Sequence, residues 1–182
     1  MNISVYTEST PNPATMKFIV NKLLINGSVD YATKESAEKS PFAKELYKFS
    51  FVNGVFFASN FVTVTKTEGS DWDDLLPILK EFVKGAVESE LKVQLEEQVE
   101  VDFEGTDAEK KIQQILQDYV RPAVEQDGGA ITYKSFNEGV VTVELRGSCS
   151  GCPSSTVTLK AGIENLLKRM VPEVTEVVSE AL

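Results

Sequence analysis

The only cysteines in this 182-residue chain, Cys149 and Cys152, lie in the stretch GSCSGCPSS at 147–155. A Cys-x-x-Cys pair is either half of a metal site or a complete dithiol. The chain has no histidine. That removes Ser-His-Asp and Cys-His nucleophilic machinery, imidazole ligation and the commonest general base together. Gly147 and Gly151 let the backbone turn tightly around a bound ion, and Pro153 suits the first turn of a helix. Unpaired N–H groups and the positive dipole end at such a helix start favour thiolate over thiol. A reduced, uninvolved pair is the bland reading, and the spacing argues against it.

A zinc ion or an iron–sulfur cluster commonly takes four thiolates. One chain offers two, with no carboxylate flanking the loop closely. Two copies meeting about a two-fold axis supply four. Three readings of the residues stay open. The loop holds a cluster between two chains, clamps a zinc ion between them, or works as a thiol–disulfide oxidoreductase with Cys149 as nucleophile and Cys152 as resolving thiol. The last lacks a Trp before the first cysteine and a βαβ unit around the loop. No residue set performs turnover chemistry, so the chain is not expected to be an enzyme.

The elements that must position this loop follow from the pattern of apolar residues. Ile112, Ile115, Leu116, Tyr119, Val120, Ala123 and Val124 predict one face of a helix, with Pro122 bending it. Asp127-Gly128-Gly129 predicts its end. Ala130–Phe136 and Gly139–Arg146 predict a hairpin across 137–139, its second strand running into the cysteine loop. A helix from about Ser154 to Met170 follows, facing inward through Val157, Ile163, Leu166, Leu167 and Met170, then a strand at Val174–Ser179. The order is α-β-β-α-β.

The first half reads as a separate small domain. Strands are expected near Ile3–Thr7, Met16–Val20, Val55–Ala58 and Phe61–Thr65, with a hairpin pairing Leu23–Ile25 and Val29–Tyr31 across Asn26-Gly27. Ser36–Phe49 reads as a helix, and Asp71–Glu90 as another, capped by Asp71 and kinked or restarted at Pro77. The Phe-rich stretch 49–61 reads as buried strand core, and TPNPATMKF as a proline-fixed loop. The overall expectation is α+β: two small two-layer α/β-sandwich domains, 1–91 and 107–182, joined by an acidic linker at 92–106.

Composition bounds the partners. The net charge is −10, from 28 acidic and 18 basic side chains. Residues 1–91 carry nine basic against twelve acidic groups, and residues 92–182 nine against sixteen. A phosphate backbone rewards clustered Lys and Arg, so nucleic acid is not an expected partner. No apolar run approaches a membrane span. The opening residues MNISVYTEST lack the basic head and apolar stretch of a secretory signal, which points to a cytoplasmic location and reduced thiols.

RPAVEQDGGAITY followed by VELRGSCSGCPSSTVTLKAGIENLLKRMVPEV resembles the C-terminal domain of the Nfu/NifU family of iron–sulfur scaffolds. The first half resembles the family's N-terminal domain through TPNPATMKF, SPFAKELY and GVFFASNFVTVTK. The resemblance implies a scaffold or carrier that holds a labile [4Fe–4S] cluster, or a [2Fe–2S] one, bridged between two subunits as a homodimer. It implies transfer to apo-proteins and contact with upstream cluster-assembly proteins. Cys149 and Cys152 match the family's cluster ligands. Ala130 departs from the pattern, since many relatives carry an acidic residue after the paired glycines.

Overall fold

The structure, a computed structural model, describes residues 2–94, 105–149 and 153–181. The chain divides into two compact units, Met1–Gln98 and Val99–Leu182, and both mix helices with an antiparallel or mixed sheet. Most of the acidic stretch expected as a linker lies outside the described residues. No helix among the described residues is long and apolar enough to cross a membrane.

In the first unit, β1 (Val5–Ser9), β2 (Thr15–Val20), β3 (Ser28–Tyr31), β4 (Val52–Ala58) and β5 (Phe61–Lys66) form one sheet in the order β1-β2-β5-β4-β3. All its pairings are antiparallel. Period-two alternation puts Phe18, Phe57 and Val62 on one face, where they pack with α1 (Pro41–Leu46) and α2 (Trp72–Glu88) through Phe42, Leu46, Leu79 and Val83. Phe56 and Phe61 are also buried, so the aromatic stretch is strand core from Val52 onward, while Phe49 and Phe51 precede β4 and pack half-buried against the core. The TPNPATMKF loop is fixed by Asn12, whose Oδ1 accepts from the Ala14 amide at 3.0 Å. Trp72 Nε1 donates to the Pro13 carbonyl at 2.9 Å.

Three local expectations change. The 23–31 hairpin does not form: the amides of Leu24 and Ile25 donate to the Ser59 carbonyl, and β3 pairs with β4. The β4–β5 turn is the stronger local partner. The helix expected over 36–49 is interrupted. A 3₁₀ turn at Ser36–Lys39 stops at Ser40, whose buried side chain then caps α1 by accepting from the Ala43 amide. Helix α2 continues through Pro77 as one element and gives up only the backbone bond that residue 77 would have made to the Asp73 carbonyl. Beyond it the chain stays fastened as far as Val93: the Phe42 amide donates to the Lys92 carbonyl and Tyr31 OH to the Val93 carbonyl at 3.1 Å.

The second unit packs helices on one face of a three-stranded sheet. Thr106 and Glu109 close a capping box at the start of α3 (Asp107–Ile115), and Glu109 also accepts from Tyr133 OH at 2.9 Å. A π-helical turn at Leu116–Val120 leads into α4 (Arg121–Gln126), with Pro122 in its first turn. Pro122 has no N–H to give and its ring crowds the preceding turn, so the helix widens there rather than continuing in phase. That shift turns Tyr119 and Ala123, both expected on the inner face, outward: Tyr119 is 60% exposed.

Strands β6 (Gly129–Asn137) and β7 (Val140–Gly147) form the hairpin, and β8 (Glu176–Ala181) pairs parallel to β7. α5 (Pro153–Met170) makes the crossover between β7 and β8. The core joins Ile112, Leu116 and Val124 to Val143, Leu145, Ile163, Leu167 and Val177. Val157, expected on the buried face of α5, is 70% exposed.

Candidate metal centre

The cysteine loop grows from the end of β7, the middle strand of its sheet. Val141, Val143 and Leu145 alternate inward, and Thr142, Glu144 and Arg146 alternate to the opposite face. Gly147, with φ of 68°, turns the chain out of the strand in a conformation that side chains with a Cβ rarely adopt. Ser148 and Cys149 come next, and α5 starts at Pro153. Cys152 lies outside the described residues, together with Ser150 and Gly151.

Cys149 is 5% exposed and belongs to the core of its unit. Its surroundings come from the other end of the hairpin. Gly129 opens β6 opposite Gly147. A Cβ placed on Gly129 would stand 2.8 Å from Cys149 Sγ and 2.7 Å from the Arg146 carbonyl oxygen. The thiol therefore occupies the space that glycine leaves empty. Ser148 is 2% exposed. Its amide donates to the Gly128 carbonyl at 3.3 Å, and its hydroxyl donates to the Asp127 carbonyl. The turn at 127–129, expected to stop a helix, does so through Gly128, with φ of 80° and its amide bonded to the Glu125 carbonyl. It is also the bed on which the cysteine loop lies.

The strand carries an ion cluster beside this loop. Glu144 is 3% exposed and meets Lys134 Nζ at 2.9 Å and Arg146 Nη2 at 2.8 Å. Burial pushes its carboxyl up, but hydrogen bonds and charge from Lys134 and Arg146 outweigh that and hold it below the usual carboxylate range. Arg146 Nε is buried without a hydrogen-bond partner among the described residues. Ala130 stands opposite Arg146 in the ladder and offers it no carboxylate, and the guanidinium turns along its own strand to Glu144.

Sequence reasoning picked out the loop and missed the bed. Gly129 reads locally as half of a helix stop, and its contact with Cys149 lies across the hairpin. Among the described residues no group of three or more His, Cys, Asp or Glu side chains comes together to hold a metal ion. Cys149 is the described donor for soft metal at this loop, and its setting fits one: a thiol on a backbone bed, followed by the start of an 18-residue helix.

Comparison with known proteins covers both units. A NifU-like domain model matches residues 112–178, and a model for the N-terminal domain of scaffold protein Nfu/NifU matches residues 5–90. Over 93% of its length the chain is 38% identical to the human protein named NFU1 iron-sulfur cluster scaffold homolog, mitochondrial, and spans 69% of that protein. It is 40% identical over 97% of its length to NifU-like protein 4, mitochondrial, of Arabidopsis thaliana, spanning 65% of it. A Drosophila erecta protein with the same name as the human one is 37% identical over 95% of the chain, which spans 63% of that relative. The cytoplasmic location expected from the opening residues is corrected by these names, since all three relatives are named mitochondrial. Charge and hydropathy of ten residues do not specify a compartment.

Proposed function

The chain belongs to the Nfu/NifU family of iron–sulfur cluster scaffolds, and from that premise we propose that it carries a labile [4Fe–4S] cluster as cargo. Cys149 and Cys152 of one chain and the same pair of a second chain hold the cluster, which then passes to apo-proteins. The mitochondrial setting of the named relatives is the one carried over to this chain. The observation that carries the reading is the space at Gly129: a Cβ there would collide with Cys149 Sγ, so the backbone is shaped around that thiol. Ligand counting supports the second copy, because a chain with two cysteines and no histidine supplies half of a four-thiolate set.

Transfer suits this arrangement better than electron transport. A cargo fixed by two bonds per chain is released when one subunit or an incoming thiolate exchanges. The four-thiolate cluster in its usual oxidised state carries a charge of about −2, and the positive end of α5 offsets part of it. Nothing in the relatives' names supports the oxidoreductase alternative, whose Cys149/Cys152 dithiol would work without metal.

Anaerobic reconstitution tests the proposal, read by visible absorption, iron and sulfide content, and mass in solution. Expected are a broad band near roughly 400 nm and about four irons per dimer. Cys149→Ser and Cys152→Ser each abolish loading while the far-ultraviolet circular dichroism stays native. A folded Cys149→Ser protein with full iron content refutes the assignment of that ligand.

A further inference from the structure

The structure assigns Ser148 as a positioning residue for the Cys149 thiol. This rests on Cys149 being a ligand and goes beyond it by naming what aims that ligand. Ser148 is buried at 2% exposure between the two segments that meet at the site. Its backbone N–H reaches the Gly128 carbonyl at 3.3 Å, and its side-chain O–H reaches the Asp127 carbonyl. One residue thus closes both carbonyls of the turn onto the cysteine loop. The next residue's sulfur then sits over Gly129, within 2.8 Å of where a Cβ would stand.

The hydroxyl chemistry decides what kind of help Ser148 gives. A serine has one O–H proton, and that proton is committed to the Asp127 carbonyl. Cys149 Sγ lies 4.0 Å from Ser148 Oγ, a contact too long to be strong whichever atom donates. The effect of Ser148 on ligation is therefore positional. Removing the hydroxyl leaves the Asp127 carbonyl without this bond and lets the loop lift from the turn. The loop keeps its amide bond to Gly128 but loses the side-chain latch.

Two readouts on the full-length apo-chain test this. The first is the rate of iodoacetamide alkylation at Cys149, resolved from Cys152 by peptide mass spectrometry. The second is a Co²⁺ titration followed by the thiolate-to-cobalt charge-transfer band. Loss of one hydrogen bond of ordinary net strength predicts that Ser148→Ala raises alkylation at Cys149, and weakens Co²⁺ binding, by roughly three- to tenfold. Ser148→Thr, which keeps the hydroxyl, restores both toward the wild-type values. A purely structural role moves the melting temperature without this hydroxyl-dependent pattern. Wild-type alkylation and Co²⁺ binding in a folded Ser148→Ala protein overturn the proposal, as does a folded Thr variant that matches Ala. Should Ser148→Ala fail to fold, nuclear magnetic resonance on the unmodified chain decides: a Ser148 hydroxyl proton exchanging with water at the free side-chain rate refutes the latch, and a protected one supports it. Cys149→Ser in the same Co²⁺ titration separates the two claims. If it binds like wild type the ligand assignment fails, and if only Ser148→Ala does so, the positioning role alone fails.

Discussion

Replacing Gly129 with alanine is the sharpest perturbation of the site, because one methyl group meets both the backbone and the proposed ligand Cys149. Its Cβ would lie 2.7 Å from the Arg146 carbonyl oxygen, 2.8 Å from Cys149 Sγ and 3.2 Å from Cys149 Cβ. Ordinary carbon contacts sit near roughly 3.5 to 4.0 Å, so something has to move by about an ångström. The Arg146 carbonyl belongs to the ladder that pairs Gly129 with Gly147 and cannot yield without opening that pair. The thiol yields more cheaply, by leaving its place. Overpacking of this size costs roughly 1–3 kcal/mol, and each kcal/mol lowers the melting point of a unit this small by about 4–8 °C. The chain is expected to remain folded, melt several degrees lower in calorimetry, and lose most of its iron loading on anaerobic reconstitution. Gly162→Ala is the control. It lies in α5 with no atom beyond its own stretch of helix backbone within 4 Å of where its Cβ would stand, and should load normally. A Gly129→Ala protein with wild-type melting and wild-type iron content would refute the claim that the backbone is shaped around Cys149.

Three further outcomes are expected. Gly85→Ala and Gly162→Ala, both within helices and facing open space, each stabilise their unit by about 0.5–1 kcal/mol, seen as a raised denaturation midpoint. Leu167→Ala removes a fully buried side chain from the second core and costs about 2–5 kcal/mol, read by urea unfolding of the transition that belongs to that unit. Glu144 ties part of the second unit's stability to pH. Its carboxyl sits below the usual range when folded, so its contribution is fully present above the unfolded value of roughly 4.3. It is lost as pH falls through the lower folded value. Melting temperatures measured from about pH 6 down to about pH 3 should drop at the acid end, and Glu144→Gln should flatten that part of the profile.

Where local pattern decided structure, the sequence was readable. The alternation of Val141, Val143 and Leu145 against Thr142, Glu144 and Arg146 describes β7 as it stands, and Asp71 caps α2 through the Asp73 amide as its position suggests. The family was legible from the residues around Cys149 and Cys152. The misses share a cause in distance along the chain. Tyr119 follows helical spacing from Ile112 but turns outward, because Pro122, three residues later, resets the phase through a π-helical turn. Leu23–Ile25 has the look of a hairpin arm, yet its amides are taken by Ser59 from another turn. Gly129 is spent on Cys149 across a hairpin, and no local rule distinguishes that use from a helix stop. The polar face of β7 was legible as polar, but not as a nearly buried Glu144 held between Lys134 and Arg146.

The parallel pairing of β7 with β8 sets an order of events during translation. The ribosome releases the two cysteines before residues 176–181, yet α5 is secured by those residues. Val177 fills the core, and its amide donates to Glu164 on α5 at 3.1 Å. Until β8 has emerged and paired, the nascent loop lacks the packed helix behind it, and Cys149 has not gained its burial. Long-range parallel pairing is slow to form compared with a hairpin. Cys149 thus passes through an interval in which oxidants and stray metals reach it freely.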